Sequence, residues 1–135
     1  MHSVQKRVVS DEPRGELASR TLAMPANTNP RGDIFGGWIM ALMDTSASMT
    51  AAPYAQSSVV TVAVSNILFL QPVQVGDAVC CYTDPVRIGR TSVTLNVEVW
   101  IRRQGLEGRV KVTEAEFTFV AVNENGKLCP LAHVA

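Results

Sequence analysis

GDIFGGWIMALMD, residues 32–44, decides how the rest of this chain is read. No charge occurs from Ile34 to Met43; two adjacent glycines and a tryptophan pass, and a carboxylate then stands at Asp44. From about Gly36 to Ala52 the other residues are Gly, Trp, Ile, Met, Ala, Leu, Ser and Thr. That composition predicts a helix apolar nearly all round, the mark of a buried one, ended by Pro53. Such a helix cannot rest on one sheet face with its back to water. Either the sheet curls around it or a second subunit covers it. An isolated buried carboxylate costs several kcal/mol, so Asp44 needs a reason to be there.

Outward from the helix the character changes. Before it, LASRTLAM (17–24) predicts a strand, and PANTNPRG (25–32) is turn-rich. After Pro53, SVVTVAVSNILFL (58–70) is β-branched and continuous, which predicts a buried strand. QPVQVGD (71–77) turns, AVCCYTDPVRI (78–88) is another strand, and Gly89 permits a tight hairpin. TSVTLNVEVWI (91–101) alternates, with Val93, Leu95, Val97, Val99 and Ile101 on one face. RQGLEG (103–108) turns again before RVKVTEAEFTFVAV (109–122), a long final strand. Its apolar positions change parity between Val112 and Ala115, the sign of a bulge. One strand, one long helix and a four-strand antiparallel meander give an α+β fold of about five strands. The expected organisation is an N-terminal arm over 1–16, one domain over 17–125 and a tail over 126–135.

Twelve basic and twelve acidic residues cancel, so neither nucleic acid nor an anionic membrane is an expected partner. Cys80 and Cys81 lie mid-strand on opposite faces and read as small apolar fillers. With only three cysteines there is no disulfide framework, and a reducing cytoplasm is the expected location. The opening MHSVQKRVVSDEPRGE lacks the apolar core of a signal peptide, and no apolar stretch is long enough for a membrane span. The only histidines are His2 and His133, both in the tails. Ser-His-Asp and Cys-His catalysis therefore lack a base. No residues show metal-ligand spacing and no phosphate-binding glycine motif occurs, so neither metal nor cofactor is expected. An enzyme made from these residues would work with a carboxylate.

RTLAMPANTNPRGDIFGGWIMALMD (20–44), VVTVAVSNILFLQPVQVGDAVCCY (59–82), GRTSV (89–93) and VEVW (97–100) resemble the YciA-type acyl-CoA thioesterases of the hotdog-fold superfamily. The resemblance spans roughly residues 17–125. It implies a long central helix wrapped by a curved antiparallel sheet, homodimers often assembled as trimers of dimers, and hydrolysis of acyl-CoA to a carboxylic acid and coenzyme A. Coenzyme A would enter as part of the substrate. Two other readings stay open: a non-catalytic acyl-CoA binding or regulatory module, and a thioesterase acting on acyl carrier protein or an aryl-CoA.

Within that resemblance Asp44 is the candidate general base or nucleophile, activating water or attacking the thioester carbonyl. Its plainer reading is a partly exposed helix residue bonded to backbone or to a nearby Ser or Thr. Gly36 and Gly37 open the helix, where unpaired N–H groups could form an oxyanion hole; tight packing or a glycine-only turn is the alternative. The resemblance implies that Asn29, otherwise a turn former, joins the aspartate in positioning water or substrate. Thr61 is a candidate to assist the water, and Asp33 to cap the helix. The resemblance also sets the hairpin of Gly89, Arg90, Thr91 and Ser92 near the CoA diphosphate, with Arg90 as the phosphate contact and Arg102 or Arg103 as further candidates. Trp38, Met40, Leu42 and Met43 read as core, some of them doubling as acyl-chain lining. Gly37 and Asp44 are seven residues apart, roughly 10 Å along a helix. A twofold pair of antiparallel helices would bring the start of one to the middle of the other. The active site is therefore expected to be shared, with Asn29 working beside Asp44 of the partner subunit.

Overall fold

The computed structural model describes residues 12–132. His2, His133 and residues 1–11 of the expected arm lie outside the described residues. Strand β1 (Glu16–Leu22) leads through a short 3-10 turn at Pro25–Asn27 to the helix α1 (Gly36–Ala51). A second 3-10 turn, Ala52–Tyr54, contains Pro53 and ends the helical run. Then come β2 (Ser58–Val64), β3 (Ala78–Ile88), β4 (Ser92–Arg102) and β5 (Val110–Val122). The five strands form one antiparallel sheet in the order β1-β3-β4-β5-β2. This is the α+β hotdog layout.

Two expectations about the strands need correction. Only β3, β4 and β5 form a meander; β2 pairs with β5 and not with β3. Residues 65–77 separate β2 from β3, far more than a hairpin loop of 2–5 residues, so nothing obliges these two to be neighbours. The run 58–70 is also shorter as a strand and less covered than its composition suggested. It leaves regular structure after Val64, with isolated bonds from Ser65 N–H to the Glu116 carbonyl and from Leu70 N–H to the Val112 carbonyl. β2 is an edge strand, and Val60, Val62 and Val64 are all substantially exposed. The expected bulge in β5 is present at Val112, where Val99 faces Thr113 but Trp100 faces Lys111.

One stripe of α1 is buried: Ile39, Met43, Ser46, Ala47 and Ala51, at the three- and four-residue spacing of a helix face. Trp38 and Leu42 pack partly against the same core, which Val93, Leu95, Val97, Val99 and Ile101 of β4 complete. The helix touches all five strands. Five strands about 4.8 Å apart span roughly 19 Å, well beyond a helix about 10 Å wide, so the sheet curls around it. The curl covers only one side. Met40 and Met49 are 40% and 59% exposed, and Met40 is thus a surface residue of the single chain and not core.

Two peripheral elements matter for the site. After β5, the turn 123–127 is organised by Asn123, whose Oδ1 accepts the N–H groups of Asn125 and Lys127. Residues 128–132 then run back past β5: Cys129 N–H donates to the Ala121 carbonyl, Leu131 N–H to Arg90, and Ala132 N–H to Tyr54. Leu131 is buried. The other element is the turn at 74–77. Asp77, 1% exposed, accepts Arg103 Nε and Nη2 at 2.9 Å each and Gln74 N–H at 2.8 Å. That hydrogen bond raises the Arg103 pKa above its ordinary value. Arg103→Ala would leave the Asp77 carboxylate buried without its cation and should cost about 3 kcal/mol, read as a lower urea midpoint at unchanged slope, while Arg102→Ala at the exposed strand end should change little.

Candidate active site

Asp44 sits one turn before the buried Ala47 and beside Met43, so the stripe that anchors α1 also sets where its carboxylate points. It is half-buried in its own chain, which corrects the expectation of a buried acid. The buried carboxylates of the described residues are Asp77 and Glu98, and both are partnered. Glu98 accepts the Trp100 indole N–H at 2.8 Å and Arg14 N–H at 3.1 Å, with Lys111 Nζ 3.6 Å away. Those acids are structural. Asp44 instead opens into an apolar pocket of about 340 Å³ formed by Met40, Ala41, Thr61, Val64 and Phe117. It is the only ionisable group there. The Thr61 hydroxyl donates to Asp44 Oδ1 at 2.6 Å, a charge-assisted bond that fixes one oxygen and leaves the other for chemistry. Val64 and Phe117 were not singled out from the sequence. Their register pairing with each other, three residues along β2 from Thr61, is the signal that places them together.

The helix start is built differently. Phe35 occupies the N-cap position with no side-chain cap, so the expected capping by Asp33 does not occur; Asp33 instead lies 3.9 Å from Arg31. Trp38 N–H donates to the Phe35 carbonyl, whereas the N–H groups of Gly36 and Gly37 find no acceptor among the described residues. Neither glycine has positive φ. A side chain at Gly37 would meet nothing within 4 Å, and one at Gly36 would only touch Phe69 at 3.4 Å. Neither packing within the chain nor a special turn therefore requires glycine here. What the two positions share is a backbone donor without an acceptor among the described residues.

Asn29 is a turn former, as its plainer reading has it: its Oδ1 accepts the N–H groups of Arg31 and Asp33. Its amide nitrogen has no partner among the described residues, and Asn29 borders a second pocket, about 200 Å³, shared with Gly36, Ile39, Phe69 and Pro72. This pocket and that of Asp44 have no wall residue in common. One chain thus brings Asp44 and Thr61 together, and separately Asn29 and Gly36. It does not unite the two sets.

Arg90 lies in the turn between β3 and β4, exposed, and has no ion-pair partner among the described residues. Gly89 N–H donates to the Ser92 carbonyl at 2.8 Å, closing the turn. A Cβ at Gly89 would come within 3.1 Å of the Ser92 hydroxyl, so the close turn suits glycine. Thr61, Phe119 and Val93 form one row across β2, β5 and β4, which puts the turn at the end of the sheet nearest Asp44. Arg103 is drawn off by Asp77 and is not a free cation; Arg102 is exposed. Cys80 and Cys81 are buried fillers, as expected. Burial pushes the Cys81 thiol up to about 11, away from the reactive thiolate. Among the described residues no His, Cys, Asp or Glu cluster could hold a metal, and no helix is long and apolar enough to cross a membrane.

Known proteins are similar to this chain in sequence and in fold. The family model described as thioesterase superfamily matches residues 31–107. The acyl-CoA thioester hydrolase YciA of Salmonella typhimurium is 50% identical over 126 residues, covering 91% of this chain and 95% of that one. Its namesake in Escherichia coli is 52% identical over 118 residues, covering 85% and 89%. Among solved structures, a hexameric thioesterase from Yersinia pestis superposes with a TM-score of 0.83 at 52% identity, over 89% of this chain and 98% of that one.

Proposed function

Because the chain belongs to the thioesterase superfamily, among the YciA-type acyl-CoA thioesterases, we propose that it hydrolyses acyl-CoA thioesters to carboxylic acid and coenzyme A. The observation that carries the reading is Asp44, the one ionisable group in an apolar pocket, with one oxygen held by Thr61. As general base, Asp44 removes a proton from water as the water oxygen bonds to the thioester carbon. As nucleophile, it bonds to that carbon itself and water then hydrolyses the mixed anhydride. On either route the carbonyl oxygen becomes an oxyanion, and collapse of the tetrahedral intermediate breaks the C–S bond and expels coenzyme A. Unpaired N–H groups at a helix start suit the oxyanion, and those of Gly36 and Gly37 have no acceptor among the described residues.

The site is composite. Asp44 lies roughly 10 Å along the helix from Gly37, yet both must reach one reacting carbon. The exposed flank of α1 and the open edge of β2, with Met40, Met49, Val60, Val62 and Val64, form an apolar surface suited to a second copy. A twofold axis there would bring the Gly36 and Asn29 pocket of one subunit to Asp44 of the partner subunit. Trimers of such dimers would make a hexamer, the state named for the Yersinia pestis thioesterase. Arg90 meets a phosphate of the CoA nucleotide. Free cysteines, two of them buried, suit a cytoplasmic enzyme.

Asp44→Asn keeps the shape of the side chain and should lower kcat at least about a hundredfold with the circular dichroism spectrum unchanged; near wild-type turnover would end the proposal. Thr61→Val keeps the strand but frees Asp44, and a roughly tenfold loss of kcat at similar KM is expected from one hydrogen bond to a charge. Sharing is tested by dissociating, mixing and reassociating Asn29→Ala and Asp44→Ala proteins, each shown inactive and able to exchange. Half of randomly formed dimers are mixed and carry one intact site, so activity should return to roughly a quarter of wild type. Verified mixed dimers that stay inactive would place both residues in one subunit's site.

A further inference from the structure

The backbone of the Arg90 turn is tied at three points, and two of those ties come from outside the hairpin. Gly89 N–H donates to Ser92, Ala121 N–H donates to the Thr91 carbonyl at 2.9 Å, and Leu131 N–H donates to the Arg90 carbonyl at 2.9 Å. The last comes from the strap 128–132, which is itself fixed by Cys129 N–H on Ala121 and Ala132 N–H on Tyr54. Leu131 is 6% exposed, so its side chain is buried while its N–H holds the turn. The strap thus links the end of the helical run at Tyr54 to the backbone of the residue whose guanidinium faces solvent.

The charge pattern is consistent with a purpose for this restraint. Arg87 and Arg90 are the only charged residues between Asp84 and Glu98. Arg87 lies 3.5 Å from the Thr94 hydroxyl, and Arg90 has no ion-pair partner among the described residues. An arginine on a loose turn must be ordered when it binds an anion, and that ordering weakens binding. An arginine whose backbone is already fixed loses less.

We infer that the strap 128–132 is a positioning element for substrate: it pre-orders the Arg90 turn for the phosphates of the CoA nucleotide, and so sets affinity for the nucleotide end without touching the chemistry. The inference rests on the reading of Arg90 as the phosphate contact. Leu131 is a positioning residue and not a catalytic one.

The test compares Leu131→Ala, a truncation after Lys127, and Arg90→Ala, each on one acyl-CoA and on the same acyl group carried by pantetheine, which has no nucleotide. A restraint on a binding turn moves KM for the CoA substrate and leaves kcat in place. Both strap variants should raise KM for acyl-CoA about five- to tenfold, at near-normal kcat and with unchanged kinetics on acyl-pantetheine. Combining Leu131→Ala with Arg90→Ala should add little to Arg90→Ala alone, because both act through one contact. If Arg90→Ala raises KM while the folded strap variants do not, the inference fails and the phosphate reading stands. If Arg90→Ala leaves KM unchanged, both fail. Equal losses on the two substrates would make the strap a general support of the fold and overturn its role in binding.

Discussion

Ile39, Met43, Ala47 and Ala51 lock α1 into the hollow of the sheet, and the position of each candidate group follows from that contact. Burying a side chain such as Ile39 or Met43 contributes roughly 2 kcal/mol, enough together to fix how the helix is turned about its axis. Successive residues differ by about 100° around a helix. With the stripe facing the core, Asp44 falls on the flank beside β2, where Thr61 meets it. Moved one residue along, the stripe would bring the carboxylate either under the sheet or out into water. The same contact sets the start of α1 above Phe69, at the border of the Asn29 pocket.

The fold was largely legible because its signals are local. Strict alternation in 91–101 marks β4 and its inner face, and the parity change after Val112 marks the bulge. The order of strands was not legible: β2 is a good strand by composition, but its partner lies some fifty residues on, and composition carries no information about that pairing. Its burial misled for a related reason. A β-branched run such as VVTVAV looks the same whether its own chain covers it or a different surface must.

For the site, residue types were readable and relations between them were not. Asp44 stood out as a lone charge, yet it is the least buried of the three carboxylates at issue, since Asp77 and Glu98 lie deeper and are neutralised by long-range partners. Those partners, Arg103 and Lys111, are 26 and 13 residues away in sequence, beyond any motif. Arg103 was for that reason open to a substrate role that its contacts with Asp77 exclude. The Thr61–Asp44 hydrogen bond joins a helix to a strand and depends on the rotation of α1. The support of Arg90 by the strap involves backbone atoms, which have no signature in residue identity at all.

The strand order also has a consequence for how the chain is made. Synthesis runs from the N-terminus, so β2 is complete at Val64 while β5, its only partner in the sheet, ends at Val122. At 5–20 residues per second, those 58 residues take roughly 3 to 12 s. Throughout that interval SVVTVAV is an uncharged, proline-free segment of high β-propensity with both edges unpaired, the kind of sequence that templates pairing with other copies. Folding closes one of those edges and leaves the other exposed on the finished chain. Nascent chains crowded on one messenger therefore risk joining through β2 before the sheet exists, and chaperone demand should peak while ribosomes are translating the long connection and β3–β5.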